Sequence, residues 1–307
     1  MPTPSLALLA TLTALPAAAR PFPPATVVVA PVAVSLPLVE MPGDPLRLYV
    51  RVDDPALGER IFFVDTAFSR TTCDDDFVAS LGIEPARTCA RSRGELGTVR
   101  LQKARLPDFS LGEHQIVELT CAVRDLDSTS SILSAPGPKT AGVLGADLLG
   151  HFVVGIDPGA GTLTLTDPAL DPVEDGPGVA PLRLENRRGP RLRLPVLVDG
   201  QETWPLLDTG ATRTQLDATR LGLPFVAERE GVDRGTGPAR EEARTFRFHE
   251  AASVIVAGQE AGPLRVLDRP RARGVPGLLG QDVLGRYALR IDATHGWVEV
   301  SPVAEEE

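Results

Sequence analysis

Apolar residues in this chain form short runs, and several of these runs alternate with polar residues. An alternation with a period of two is typical of β-strands that are buried on one face. Glycine and proline occur 29 times each, so turns are frequent and long helices are not expected. The pattern predicts an all-β protein with few short helices. The predicted strands lie at residues 46–52, 62–64, 152–156, 162–166, 192–198, 206–207, 287–291 and 297–300.

Helical structure is predicted in four short segments, at residues 75–81, 147–150, 217–221 and 282–285. Asp147 and Asp282 each precede a short apolar run, and aspartate is a favoured residue at a helix N-cap. We therefore interpret both aspartates as helix caps and not as catalytic groups.

Blocks of sequence occur twice in the same order. Asp65 and Gly145 of the first copy are 80 residues apart, and Asp208 and Gly280 of the second copy are 72 residues apart. One matched block could arise by chance, but four blocks in the same order indicate an internal duplication. The matched segments are 46–53 with 192–199, 61–67 with 205–210, the Arg-Thr and Leu-Gly pairs of 70–82 with those of 213–222, and 142–157 with 277–292.

The duplication divides the 307 residues into two lobes, each long enough to have its own core. A stretch between the copies is rich in proline, glycine and acidic residues, which predicts an exposed linker. The predicted units are a signal peptide at 1–19, an N-terminal tail or edge strand at 20–45, the first lobe at 46–170, the linker at 171–180 and the second lobe at 181–303.

The N-terminus predicts export. Residues 6–15 are largely apolar, and Ala17–Ala19 provide small residues for cleavage, as in a signal peptide. The run is shorter than the roughly 20 residues that span a bilayer, so no stable membrane insertion is expected. Residues 1–5 contain no Lys or Arg, so a disordered apolar leader or a misplaced start codon is the alternative. We expect a periplasmic or secreted protein.

Composition narrows the choice of partners and cofactors. The net charge of −10 argues against nucleic acid as a partner, since nucleic-acid binding requires a basic face. No histidine pair has metalloprotease spacing, and the Gly-x-Ser-x-Gly motif of serine hydrolases does not occur. We therefore expect neither a metal nor a cofactor. Cys73, Cys89 and Cys121 allow one disulfide after export, or they are small buried apolar residues.

Two motifs carry a family resemblance. Leu206–Thr212 reads Leu-Leu-Asp-Thr-Gly-Ala-Thr and resembles the active-site loop of aspartic proteases. The second signature of that family is a pair of apolar residues before a glycine and a short helix, to which Val143-Leu-Gly and Leu278-Leu-Gly are similar. The form resembles bacterial retropepsin-like proteases in tandem, over roughly residues 46–166 and 192–301. This implies two retropepsin-like β-barrel lobes in a pepsin-like bilobal pseudo-dimer.

The resemblance implies an aspartic endopeptidase with Asp65 and Asp208 as its catalytic pair, and peptides or proteins as its substrates. Two carboxyl groups close together cannot both ionise easily, so they share one proton. The ionised member takes a proton from a water molecule as that water attacks a peptide carbonyl, and the protonated member stabilises the oxyanion. Because the titration belongs to the pair, neither role is assigned to one residue.

Five further positions support the pair by resemblance. Thr66 and Thr209 are expected to brace the two loops by hydrogen bonds. Gly210 permits a tight turn with its N–H close to a carboxylate. Ser69 and Thr212 hold the positions at which the family has a hydroxyl group on the carboxylate.

The first loop departs from the family pattern, because Ala67 and Phe68 stand where the second copy has Gly210 and Ala211. A Cβ at position 67 costs about 1 kcal/mol or more if the loop needs a positive φ or very close packing there. The alternative is an inactive protease-like scaffold, with a degenerate first site, that binds peptides or dimerises. A third interpretation is a homodimer that pairs Asp208 of two chains, whereas a monomer is expected from the intramolecular pair.

Gly-rich segments at 92–98 and 231–237 lie between the two signatures of each copy. Mobile flap hairpins over a cleft fit these segments, and ordinary exposed turns fit them equally well.

Overall fold

The computed structural model describes residues 22, 25–41, 46–94, 97–126, 140–185, 191–233, 242–269 and 277–303. The predicted signal peptide lies outside these residues, as do positions 95–96 and 234–241 at the centres of the Gly-rich segments. In the part of the chain that is described, no helix is long and apolar enough to cross a membrane.

The first half consists mainly of short strands. In chain order its elements are β1 (Thr26–Val28), β2 (Val34–Pro37), β3 (Tyr49–Asp54), β4 (Gly58–Val64), β5 (Thr72–Asp74), α1 (Asp75–Ser80), β6 (Ala86–Gly94), β7 (Gly97–Arg105), β8 (Phe109–Leu111), β9 (His114–Val117), β10 (Thr120–Arg124), β11 (Thr140–Leu144), α2 (Ala146–Leu149), β12 (Val153–Asp157) and β13 (Thr162–Thr166).

The second half has the same character. Its elements are β14 (Val179–Pro181), β15 (Arg183–Glu185), β16 (Arg191–Arg193), β17 (Val196–Val198), β18 (Gln201–Thr203), β19 (Leu206–Leu207), β20 (Gln215–Leu216), β21 (Phe225–Asp233), β22 (Glu242–Ala251), β23 (Val254–Val256), β24 (Gln259–Glu260), β25 (Leu264–Asp268), β26 (Leu278–Leu279), α3 (Gln281–Leu284), β27 (Tyr287–Asp292) and β28 (Trp297–Pro302).

The prediction of a β-rich fold with few short helices is confirmed. The first half has a seven-stranded sheet of order β3-β4-β11-β5-β10-β7-β6, and the second half has an eight-stranded sheet of order β15-β16-β19-β26-β20-β25-β22-β21. A smaller sheet accompanies each of them, β1-β9-β8 in the first half and β18-β17-β23-β24 in the second. These strand orders are linear, so the described strands of each lobe form packed sheets and not the closed barrels that the resemblance implied.

One parallel strand pair in each large sheet leads to the site described below. β4 runs parallel to β11, with Val64 beside Leu144, and β19 runs parallel to β26, with Leu207 beside Leu279. All four side chains are buried. Burial on both faces explains why these segments read as continuous apolar runs in the sequence. Their burial fixes the point at which the chain leaves each strand.

A six-stranded sheet joins the two halves, in the order β14-β28-β27-β12-β13-β2. β12 of the first half and β27 of the second half are its central antiparallel pair, with Val153 opposite Asp292 and Ile156 opposite Leu289. β2 from the N-terminal segment forms one edge by pairing with β13. The two halves therefore share backbone hydrogen bonds as well as packed side chains.

The predicted strand at residues 192–198 is wrong in extent. β16 ends at Arg193, and β17 begins at Val196 in a different sheet. Pro195 lies between them and lacks the N–H that a continuous ladder would need. Proline therefore separates one apolar run into strands of two sheets.

The predicted helix at residues 217–221 is also wrong, because this segment is a turn. A single helical hydrogen bond forms, from Leu221 N to Asp217 O at 3.1 Å. Gly222 follows with a φ of +67° and ends the turn before a second hydrogen bond of this kind can form.

The N-cap assignments of Asp147 and Asp282 are wrong as well. The N-caps of α2 and α3 are Gly145 and Gly280, which make no side-chain capping hydrogen bond. Each aspartate lies in the first turn of its helix, where it accepts hydrogen bonds from a threonine in another loop.

Cys73 and Cys121 form a disulfide, with their Cα atoms 5.9 Å apart. This resolves the two alternatives for these cysteines, and both are fully buried in the first half. The side chain of Cys89 lies outside the described residues. The segment predicted as an exposed linker is partly integrated into the fold, because Val173 and Ala180 are buried and β14 pairs with β28.

Candidate active site

Two aspartates stand directly after the buried strands β4 and β19. Asp65 follows Val64, and its N–H donates to Leu144 O at 3.1 Å. Asp208 follows Leu207, and its N–H donates to Leu279 O at 3.1 Å. The parallel neighbour strand thus fixes the backbone of each aspartate in the same way.

Each carboxylate closes its own loop by accepting two backbone hydrogen bonds. Asp65 Oδ1 accepts from the N–H groups of Ala67 and Phe68, both at 2.9 Å. Asp208 Oδ1 accepts from Gly210 N at 3.0 Å and from Ala211 N at 2.9 Å. The first loop therefore makes the same hydrogen bonds as the intact Asp-Thr-Gly loop, although its third residue is alanine.

The two loops meet at one place in the molecule. A Cβ built on Gly210 would lie 2.2 Å from Asp65 Oδ2, so the second loop touches the first carboxylate. Both aspartates are buried, with relative exposures of 8% for Asp65 and 7% for Asp208. We call Asp65 and Asp208 the aspartate pair.

Thr66 and Thr209 link the loops across the two halves by four reciprocal hydrogen bonds. Thr66 Oγ1 donates to Leu207 O at 2.7 Å and accepts from Thr209 N at 3.2 Å. Thr209 Oγ1 donates to Val64 O at 2.9 Å and accepts from Thr66 N at 3.1 Å. Each hydroxyl group is thus both a donor and an acceptor in a buried location, which holds the loops in register.

Burial and mutual repulsion set the proton affinity of the aspartate pair. Burial raises the pKa of Asp65 above its ordinary value, against the hydrogen bonds from Ala67 and Phe68 and the charge of Arg47. Burial and then the charge of Asp65 raise the pKa of Asp208 well above its ordinary value. Both shifts favour the protonated forms of these carboxyl groups over a doubly ionised pair.

The remaining predicted residues have different positions. Ala67 has no positive φ, so its backbone carries no left-handed strain. Ser69 and Thr212 are half-buried, and in the described part of the chain neither side chain has a hydrogen bond to the aspartate pair. The sequence predicts a hydroxyl group on the carboxylate at these two positions, and this stays a prediction.

A second pair of matching networks lies behind the loops, and sequence reasoning missed it. Asp147 accepts from Thr71 N at 2.6 Å and from Thr71 Oγ1 at 2.9 Å, while Thr71 Oγ1 accepts from Gly145 N at 3.2 Å. The second half repeats this arrangement. Thr214 Oγ1 donates to Asp282 at 2.7 Å and accepts from Gly280 N at 3.1 Å.

These networks attach the helix after each second signature to the loop that holds the catalytic candidate. The signal for them was present in the sequence, because Arg-Thr and Gly-x-Asp recur at matched positions in both copies. Burial raises the pKa of Asp147, against the hydrogen bonds from Thr71. Arg47, near the aspartate pair, was also missed, because its immediate neighbours Leu46 and Leu48 are the same as those of Arg193.

Long antiparallel hairpins stand where flaps are predicted. β6 pairs with β7, and β21 pairs with β22. The described residues include 92–94, 97–98 and 231–233 of the two predicted flaps, whereas 95–96 and 234–237 lie outside them, so mobility of the flaps stays a prediction.

A cluster of three aspartates has the spacing of a cation site. Oxygens of Asp74, Asp75 and Asp125 lie within 4.8 Å of one another. Asp74 is the N-cap of α1, where it accepts from Asp76 N at 3.1 Å, and it also accepts from Leu126 N at 3.0 Å. Helix capping therefore accounts for its burial.

Comparison with known proteins agrees with the resemblance to aspartic proteases. Residues 49–148 match the family model described as aspartyl protease, and this segment includes Asp65, Ala67 and the second signature of the first copy. The match supports the aspartyl protease family for this chain. No curated protein sequence matches the chain.

Solved structures show the fold at low sequence identity. An aspartic proteinase from Irpex lacteus is 12% identical with a TM-score of 0.50, and the match covers 89% of this chain and 98% of that one. A structure titled edgp is 10% identical with a TM-score of 0.50, covering 90% of this chain and 96% of that one. The chain has the fold of pepsin-like aspartic proteases.

Proposed function

We propose that this protein is an aspartic endopeptidase whose aspartate pair activates water for peptide-bond hydrolysis in a cleft between the lobes. The observation that carries the proposal is the joining of the two Asp-Thr loops by the Thr66–Thr209 hydrogen bonds, with Gly210 against the carboxylate of Asp65. Peptides or proteins are the substrate class that the family match implies.

The chemistry needs one proton on the aspartate pair. The ionised carboxylate takes a proton from water as the water oxygen bonds to the peptide carbonyl carbon. The protonated carboxyl donates to the carbonyl oxygen and stabilises the tetrahedral intermediate. The C–N bond then breaks as the leaving nitrogen gains a proton, which gives a carboxylic acid and an amine. Burial supports this state because it disfavours the doubly ionised pair.

We further propose that the two lobes are diverged copies of one unit. Supporting this are the matching loop hydrogen bonds of Asp65 and Asp208 and the matching Thr71–Asp147 and Thr214–Asp282 networks.

The inactive-scaffold alternative rested on Ala67 and Phe68. The first loop keeps both hydrogen bonds to its carboxylate and has no positive φ at Ala67, and these two observations support a competent first site. An intramolecular aspartate pair also removes the need for a homodimer, and we propose a monomer. Mass measurement in solution tests this.

Export remains part of the proposal. The disulfide between Cys73 and Cys121 supports it, because disulfides persist in oxidising compartments. Protein recovered from the periplasm or medium is expected to lack residues 1–19.

The decisive experiment replaces each carboxyl group by an isosteric amide. Asp65→Asn and Asp208→Asn are each expected to abolish cleavage of a peptide library across a range of acid to neutral pH. Asp53→Asn is the matched control, because Asp53 is an exposed aspartate on β3. Binding of a peptide with a non-cleavable hydroxyethylene group, which mimics the tetrahedral intermediate, is measured alongside.

Full activity in Asp65→Asn would contradict the intramolecular pair. If the unmodified protein binds peptides but cleaves none of them, the scaffold alternative replaces the enzyme.

A further inference from the structure

Arg47 extends from the first half of the chain to the active-site loop of the second half. It lies two residues before β3, and its Nε donates to the carbonyl oxygen of Gly210 at 3.1 Å. The same peptide unit donates its N–H, that of Ala211, to the carboxylate of Asp208 at 2.9 Å. The peptide unit that supports the second carboxylate is therefore held by a side chain from the other half.

The guanidinium group of Arg47 is oriented by an aromatic ring. Its Cζ lies 5.6 Å from the centroid of Phe63, within the range of a cation–π contact. Phe63 is buried on β4, the strand that leads directly to Asp65. Arg47 thus contacts Gly210 in the second loop and Phe63 on the strand that leads to the first loop.

Its positive charge acts on both members of the aspartate pair. Arg47 lowers the pKa of Asp65 and the pKa of Asp208, in each case against the larger effect of burial. Among the described residues, the other charged group that affects either carboxyl is Asp65, which raises the pKa of Asp208.

The matched arginine of the second half has a different role. Arg193 occupies the same place in the repeat, in Leu192-Arg-Leu against Leu46-Arg-Leu. Its Nη2 pairs with Glu185 at 3.1 Å, and β16 places it beside β19. Among the described residues, the positive charge at the aspartate pair therefore comes from the first half, which breaks the symmetry of the two copies.

We propose that Arg47 is a positioning residue of the aspartate pair, which fixes the second loop through Gly210 and keeps a positive charge beside both carboxyl groups, so that the site works at more acid pH. This inference rests on the proposed peptidase function and specifies how the site is tuned. A cation favours the ionised form of a carboxyl group. The singly protonated state then exists over a lower pH range than burial alone would set.

The test is the pH profile of kcat/KM for Arg47→Gln, Arg47→Lys and Arg193→Gln. In Arg47→Gln both limbs are expected to move to higher pH, with a several-fold loss on the acid side and a gain on the alkaline side. Arg47→Lys keeps the charge and is expected to keep the limbs, with a lower plateau because the Nε hydrogen bond is lost. Arg193→Gln is the matched control and leaves the limbs in place.

Unmoved limbs in Arg47→Gln, or an equal movement in Arg193→Gln, overturn the proposal. If Arg47→Gln does not fold, Arg47→Met, which keeps an apolar chain over Phe63, replaces it.

A second readout does not depend on activity. Carboxyl carbons of ¹³C-labelled aspartate are titrated by NMR in the unmodified protein and in each variant, with signals of the pair assigned from Asp65→Asn and Asp208→Asn. Absent cleavage in the unmodified protein would refute the proposed function alone. An upward shift of the pair's titration in Arg47→Gln would still support the role of Arg47, and an unchanged titration would refute it.

Discussion

Gly210 and Asp65 lie so close together that a methyl group at position 210 would sit 2.2 Å from Oδ2 of Asp65. No real Cβ contact is this short, and the partner atom is a carboxylate held by two hydrogen bonds. The glycine of the second loop is thus required by the first carboxylate, and a side chain at this position must displace one of the two loops.

Gly210→Ala is therefore expected to lower kcat/KM by about 100-fold, because displacements of about 1 Å at a catalytic group have effects of this size. Peptide cleavage by purified protein is the measurement. Gly176→Ala is the control, since nothing lies within 4 Å of its Cβ position and its φ is not positive. Equal activity of the two variants would show that Asp65 has room to move without loss.

Loss of a hydroxyl group between the loops is expected to destabilise the whole protein. Thr66→Val removes the donor to Leu207 O and the acceptor of Thr209 N, and leaves two buried groups without partners. Each such group costs about 1–3 kcal/mol, so a loss of about 2–6 kcal/mol in the free energy of unfolding is expected. Denaturant unfolding measures it.

Thr66→Ser keeps the hydroxyl group and serves as the control. Thr209→Val is expected to behave like Thr66→Val. Because the two hydroxyl groups belong to one network, the double variant is expected to lose less than the sum of the single losses. A strictly additive result would contradict the reciprocal arrangement.

The aspartate pair is expected to make stability depend on pH. Both carboxyl groups have a pKa raised above the ordinary value of 3.8 by burial. The folded protein then binds more protons than the unfolded chain, so this contribution to stability is complete below pH 3.8 and is lost as the pH rises through the raised values. Asp208→Asn removes one ionisation and is expected to raise the melting temperature at neutral pH, with a smaller gain in acid.

Thermal melts between acid and neutral pH test this, with Asp53→Asn as the control for an exposed aspartate. A gain that stays constant with pH would point to packing and not to ionisation.

The disulfide between Cys73 and Cys121 spans 48 residues and is expected to contribute about 2–5 kcal/mol to the free energy of unfolding. The Cys73→Ala, Cys121→Ala double variant measures the loss, and Cys89→Ala is the control that keeps the bridge. Denatured protein is expected to show one free thiol before reduction and three after it, as the chain contains three cysteines. Three thiols before reduction would contradict the pairing.

Local sequence patterns were enough to predict most of the β-rich fold and the two candidate loops. Alternation and apolar runs reflect burial on one or both faces, and Asp-Thr after such a run is a short motif, so both are visible in a single stretch of chain. Pro195 was visible too, but its effect depends on two sheets diverging at that point. Asp147 was predicted to be a helix cap because a short apolar run follows it directly in the sequence. Its hydrogen-bond partner, Thr71, is 76 residues away in the chain and could not be seen in that local pattern.

The role of Arg47 could not be predicted for the same reason. Arg47 and Arg193 have the same sequence neighbours on both sides. What separates them is a contact between residues 163 positions apart, which exists only when the two halves have come together.

The sheet in which β12 pairs with β27 has a consequence for how the chain tolerates being cut. The ladder between β12 and β27 joins the two halves of the chain, in addition to the covalent link through residues 171–178. A nick in that link would leave the ladder intact, so the fragments are expected to stay associated. If the two halves were expressed as separate polypeptides, β12 and β27 would each be an unpaired strand edge. Mixing the two pieces would pair these edges with each other again.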